Sequence, residues 1–265
     1  MGGKIPPIPP KKMGMITLSL NVQLYGKNLQ SVLGYCRRAI SDYNMISPGD
    51  RIAVGVSGGK DSLILLSALC RLRAFLGVEY EVVGITIDPC FDNKETDYSP
   101  VAELCEKLGA KYVIRRSDLG DIIFNKRKEK NPCSLCARMR RAMLHDLAIA
   151  HGCNKLALGH HRDDAVETLM MNLFREGRIG CFRPVTWLSR KDVTVIRPLI
   201  LMPEQDVANA ARKCGLPIVK SKCPVDGATA RTDMKRLLRE MEKGEYPALR
   251  KLLFGALRKS GIDGW

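Results

Sequence analysis

The sequence predicts an α/β protein: a doubly wound, mostly parallel five-stranded sheet with a helix before it and a small helical appendage at its C-terminal end. Two observations carry this. Short β-rich runs alternate with helix-period segments from about 45 to 220, and such alternation implies βαβ crossovers with helices on both faces of a parallel sheet. The first of those runs also ends in a glycine-rich loop that opens straight onto a helix.

In chain order, Val32, Leu33, Cys36, Ala39, Ile40 and Tyr43 recur at helical spacing within 28–44. The turn Ser47-Pro48-Gly49-Asp50 resets the chain. Strand 51–56 then runs into Ser57-Gly58-Gly59 and helix 61–76. Strand 81–88, helix 100–108, strand 111–115, a long helix 134–151, strand 155–159, helix 163–174 and strand 193–197 complete the alternation. Two basic helices, 229–241 and 246–259, are separated by Gly244 and Pro247. The expected organisation is an N-terminal extension, flexible in part, over 1–27, a main domain over 28–225 and the appendage over 226–265.

At 265 residues, with 45% hydrophobic and 27% charged side chains, the chain can enclose a full core. No apolar run approaches the ~18 to 20 residues of a membrane span. The formal net charge of +15 favours a polyanionic partner, nucleic acid first and an anionic membrane surface second. The excess is segregated into 1–38, 111–141 and 228–265, and the remainder is slightly acidic, as a phosphate-tracking surface requires. Ten cysteines without a secretory signal point to a reducing cytoplasm, where paired cysteines bind metal or do redox work more often than they bridge. Pro6 occupies the place where a myristoylation motif wants Ser or Thr.

Three motifs carry chemistry. The first is Ser57-Gly58-Gly59-Lys60-Asp61-Ser62, between strand and helix, whose glycines let backbone approach a ligand while amides and the helix dipole face phosphate oxygens. It is not a Walker A loop, because Val54 and Asp61 stand where that motif needs Gly and Ser or Thr, and it does not read as G-x-G-x-x-G. The second is Cys133-Ser134-Leu135-Cys136 at the start of the long helix, where the dipole and neighbouring arginines favour thiolate. Alone, it is half a zinc site, a redox dithiol or part of an iron–sulfur site. The third, Gly159-His160-His161-Arg162-Asp163-Asp164, lies on the same carboxyl edge of the sheet. Its paired carboxylates could hold Mg²⁺ or hydrogen-bond an intermediate; the plainer reading makes Asp163 the cap of its own helix and the histidines packed residues.

The S-G-G-K-D-S hexapeptide resembles the pyrophosphate loop of the PP-loop ATP pyrophosphatase superfamily, whose fold is adenine nucleotide alpha hydrolase-like. Taken with 42–46 (DYNMI), 49–52 (GDRI), C-S-L-C-A-R-M-R-R, G-H-H-R-D-D followed by Thr168, Leu169 and Asn172, and 196–199 (IRPL), the chain is similar over 28–225 to the tRNA 2-thiocytidine synthetase (TtcA) family.

That resemblance implies an enzyme using ATP, Mg²⁺ and a [4Fe-4S] cluster to replace the C2 oxygen of cytidine 32, in the tRNA anticodon stem-loop, by sulfur. It implies that Ser57, Gly58, Gly59, Asp61 and Ser62 cradle pyrophosphate, that Lys60 neutralises it, and that Gly159 and His160 belong to the nucleotide site. Asp163, Asp164 and Arg140 would serve the reaction, and Cys133, Cys136 and Cys223 would hold the cluster. A cysteine desulfurase or free sulfide would supply sulfur, and the enzyme would be a homodimer without membrane attachment. Asp226 stands where the family usually has a further cysteine. Two other readings share the motifs: a PP-loop ligase or amidotransferase resembling tRNA lysidine synthetase, and a non-catalytic, zinc-stabilised RNA-binding protein.

Overall fold

The computed structural model describes residues 26–127, 132–225, 227 and 229–265. Most of the N-terminal extension and Asp226 lie outside the described residues. The elements are α1 (Gln30–Asp42), β1 (Arg51–Gly55), α2 (Lys60–Leu72), β2 (Glu81–Asp88), α3 (Ser99–Lys107), β3 (Lys111–Arg116), α4 (Pro132–Ala150) and β4 (Lys155–Ala157), followed by α5 (Arg162–Glu176), β5 (Val185–Leu188), β6 (Val193–Ile196), α6 (Glu204–Lys213), α7 (Ala230–Lys243) and α8 (Leu249–Lys259).

The sheet has six strands, not five, in the order β3-β2-β1-β4-β6-β5. All pairings are parallel except β5 against β6. The unforeseen strand is a short edge hairpin arm, closed by a turn in which Asp192 takes φ +50°. Its four residues are too few, and too exposed, to show an alternating burial pattern in sequence. Helix α6 was also missed. It begins after Pro203 and buries only Val207, Ala210 and Ala211, a stripe too narrow to stand out.

β1 occupies the middle of the sheet, and alternation sends its side chains into two cores. Ile52 and Val54 join the large cluster with α1, α2, α3 and α6; Ala53 faces α4 through Ile85, Leu156 and Ala148. Helix α2 is buried on nearly every side, so its apolar run reads as core throughout. The C-terminal pair shares the large core: Met234, Leu238, Phe254 and Leu257 are buried in it. Trp265 closes the chain against Tyr43, Phe182 and Phe254 and donates its indole N–H to the Phe182 carbonyl at 3.0 Å. Among the described residues no helix is long and apolar enough to cross a membrane.

Candidate active site

The chain runs from β1 outward to β2 and β3, then crosses back from β3 to β4 on the other side of β1, so the crevice outside the carboxyl ends of β1 and β4 is a topological switch point, where open α/β sheets bind ligands. The Ser57–Ser62 loop sits there and is fastened internally. The Ser57 amide donates to Ser62 Oγ at 3.2 Å, the Gly59 amide to Ser57 Oγ at 3.3 Å, and Ser62 Oγ donates to the Gly59 carbonyl at 2.9 Å. Gly59 is the N-cap of α2, so the first-turn amides of that helix have no intrahelical acceptor and face outward with the positive end of the dipole. Gly58 takes φ +82°, and a Cβ there would lie 2.8 Å from Val219 Cβ. At Gly159 a Cβ would press on the Asp61 backbone at 3.1 Å, so glycine lets the end of β4 approach the start of α2.

Two cavities flank the loop. One, of about 250 Å³, lies over Gly55, Ile85, Ile87, Leu158 and His160; the other, of about 270 Å³, is lined by Gly59, Phe91, Tyr98, Val219 and Lys222. Ser57 and Arg140 line both. His160 tilts against Phe182 with ring centroids 5.0 Å apart, and the Arg197 guanidinium covers the other ring at 4.9 Å. Burial pushes the His160 pKa down to about 4, so the imidazole is neutral near pH 7.

Cys133, Cys136 and Cys223 are free and partly exposed. Burial pushes the Cys136 thiol up, Arg140 pulls it down, and both Cys133 and Cys223 lie near enough to raise it electrostatically. Cys136 packs, with Leu135 and Met139, against the buried Ile87, Leu119 and Ile123, an apolar wall. Among the described residues no three His, Cys, Asp or Glu side chains converge tightly enough to hold one metal ion. A four-iron cluster spreads its thiolates wider than a single tetrahedral zinc does, and a Cys136 thiol with Cys133 and Cys223 nearby, beside an arginine and an apolar wall, fits that demand.

Asp163 does not cap α5. That role belongs to His161, whose Nδ1 accepts the Asp164 amide at 3.3 Å while Asp164 Oδ2 accepts the His161 amide at 2.9 Å. Asp163 Oδ2 accepts the Glu204 amide at 2.8 Å at the start of α6, and its Oδ1 is 3.6 Å from Arg250 Nε. Asp164 Oδ1 accepts from Arg231 at 3.0 Å, so both of its oxygens are engaged within the protein.

Lys60 Nζ lies 3.0 Å from Asp61 Oδ1 and 3.1 Å from Glu204 Oε1. Burial lowers the Lys60 pKa, but Asp61 and Glu204 outweigh it and the net direction is upward. Burial likewise raises the Glu204 pKa, and its hydrogen bonds and charge contacts with Lys235 and Lys60 overcome that and hold it at about 2.

Sequence reasoning missed Glu204, Glu167, Arg231, Lys235 and Arg250. Glu204 lies in the unforeseen helix, and the three cations belong to helices read as outward-facing. The i, i+4 spacing of Arg231 and Lys235, on the side of the buried Met234 and Leu238, was the available signal that they point inward.

A family model described as a PP-loop domain matches residues 35–239. The chain is 42% identical over 234 residues to the tRNA-cytidine(32) 2-sulfurtransferase of Geobacter sulfurreducens, covering 87% of this chain and 89% of that one. It is 43% identical over 223 residues to the protein of the same name from Geobacter metallireducens, covering 83% and 86%. Among solved structures, the U34-tRNA thiolase NcsA from Methanococcus maripaludis with its [4Fe-4S] cluster superposes with TM-score 0.68 at 24% identity, covering 85% of this chain and 77% of that one, a likeness of fold.

Proposed function

Because the chain belongs to the PP-loop family, in the branch of the tRNA-cytidine(32) 2-sulfurtransferases, we propose that it is an ATP-dependent tRNA thiolation enzyme acting on cytidine 32. One observation carries this reading. Arg140 lines both cavities beside the phosphate loop and lies close to the Cys136 thiol, which supports a sulfur site next to the nucleotide crevice.

The C2 oxygen of cytosine is a poor leaving group, and ATP activates it. The oxygen attacks the α-phosphate, pyrophosphate leaves into the loop, sulfur attacks C2, and AMP departs. The first-turn amides of α2 and the hydroxyls of Ser57 and Ser62 meet the departing pyrophosphate, and Lys60 offsets its charge. Asp61 is the loop's own carboxylate and the candidate to meet the Mg²⁺ that accompanies ATP. The adenine end fits the cavity over Ile85, Ile87 and His160; the target base fits the cavity beside Tyr98 and Lys222, where an aromatic ring can stack on it. Extruding a loop nucleotide costs only a few kcal/mol.

Cys133, Cys136 and Cys223 would hold a [4Fe-4S] cluster, which when bound supplies a Lewis-acidic iron open to sulfur. Arg140 draws the Cys136 thiol down against the larger upward push of burial, and the apolar wall restricts water there. Asp163 and Asp164 act as positioning residues, through Glu204 and Arg231 respectively. The same proposal includes a cytoplasmic homodimer supplied by a cysteine desulfurase or free sulfide.

The test is mass spectrometry of tRNA nucleosides from cells with and without the protein, joined to iron and sulfide analysis of protein purified without oxygen. Loss of 2-thiocytidine in the deficient cells, with iron and sulfide bound, is expected. Unchanged thionucleosides, or full activity without iron, would reject it, and the second outcome would favour a nitrogen-nucleophile ligase.

A further inference from the structure

Helix α7 is amphipathic, and two of its cations, Arg231 and Lys235, reach across to α5 and the start of α6 while staying partly accessible. Lys235 Nζ donates to Glu204 Oε1 and Oε2, at 3.0 Å each. The first of those oxygens also accepts Lys60 at 3.1 Å. One carboxylate oxygen therefore gathers an ammonium from the phosphate loop and an ammonium from a helix far along the chain. Both lysine side chains remain about 30% accessible, so a ligand in the crevice can reach either.

Behind Lys235 stands Glu167, a fully buried side chain of α5. Neither of its oxygens accepts a hydrogen bond within the described residues; Lys235 is 3.7 Å from Oε1 and Arg231 is 3.9 Å from Oε2. The α7 cations thus lie beside Glu167 without being fixed to it by a hydrogen bond. A pair of ammonium groups sharing one anionic oxygen is the arrangement a phosphate oxygen would itself recruit, and it stands at the mouth of the loop that receives pyrophosphate.

We propose that Lys235 is a second phosphate-binding cation of the ATP-cleaving site, and that Glu204 is the positioning residue that holds Lys60 and Lys235 side by side. This rests on the reading of the Ser57–Ser62 loop as a pyrophosphate cradle. The C-terminal helices then complete the nucleotide site from the side opposite Arg140, in addition to whatever they offer RNA on their outer face through Arg236, Arg239 and Lys243.

The experiment uses the intact wild-type protein. Lysines are labelled with an amine-reactive succinimide ester, with and without magnesium pyrophosphate, and rates are followed by peptide mass spectrometry, with the exposed Lys243 as the unprotected reference. Pyrophosphate is expected to slow labelling of Lys60 and Lys235 together by about tenfold, the scale of one charge-assisted hydrogen bond. Protection of Lys60 alone would overturn the role of Lys235 and leave the cradle intact; protection of neither would overturn the cradle itself.

A second measurement compares K235Q and K235R. The glutamine variant is expected to raise the ATP KM and weaken inhibition by pyrophosphate about tenfold while tRNA affinity holds, with the arginine variant recovering most of the loss. A fall in tRNA affinity with unchanged ATP KM would reassign Lys235 to RNA.

Discussion

The carboxylate of Asp163, on α5, accepts the backbone amide of Glu204 at 2.8 Å and so caps α6, the helix that carries Lys60's partner. A residue of the histidine–aspartate motif therefore acts on the phosphate loop through a helix terminus. Replacing Asp163 by alanine should cost about 1 to 2 kcal/mol of stability, read by urea unfolding, and should raise the ATP KM in tRNA-stimulated AMP release. Asparagine keeps an oxygen at the cap and should recover most of the stability. Equal loss in both variants would mean that the charge facing Arg250, and not the cap, is what matters.

This relationship shows where sequence reading succeeds and where it stops. The glycine loop, the cysteine pair and the strand ends were legible because each is a run of neighbouring residues with a local physical demand. The fold class followed from alternation, although the edge strand Val185–Leu188 and the helix Glu204–Lys213 left too short a pattern. The ion network was not legible. Its pairs join residues 144 apart for Lys60 and Glu204 and 67 apart for Arg231 and Asp164, and nothing local distinguishes an inward cation from a solvated one. Counting Arg231, Lys235 and Arg250 toward a phosphate-tracking surface overstated the charge offered to RNA, since all three are held by buried or half-buried carboxylates.

Gly58 supplies a second test. Its φ of +82° is strained for any L-residue, and an added Cβ would meet Val219 at 2.8 Å, on the segment whose amide donates to the Gly58 carbonyl at 3.0 Å. Gly58→Ala should cost about 1 to 3 kcal/mol and abolish protection by magnesium pyrophosphate, because relief requires the Val219 segment to lift off the loop. Retained ATP-dependent thiolation would show that the loop tolerates a different path.

The cysteines should behave as a set. Serine at 133, 136 or 223 is expected to remove bound iron and lower thiolation by about 100-fold or more, with tRNA affinity and the melting temperature close to wild type. Cys105 and Cys70 are buried in the main core, and their thiols are pushed up to about 12, led by burial. Alanine at either should cost stability and leave iron content unchanged. Iron retained by a Cys223→Ser protein would remove that residue from the ligand set.

Glu167 gives a prediction in pH. Burial raises its pKa from 4.5 to about 8, with Asp164 and Glu204 adding to the rise and Lys235 and Arg231 opposing it. Between those two values the folded protein keeps a proton that the unfolded chain releases, so its contribution to stability falls as pH climbs through the window and is constant above it. The Glu167→Gln protein is neutral throughout. Its unfolding free energy in urea, relative to wild type, should therefore grow from pH 4.5 to about 8, by roughly a few kcal/mol, and then level off. Parallel curves over the same range would instead mean that Lys235 and Arg231 keep the carboxylate ionised in the fold, and that its role is attraction alone.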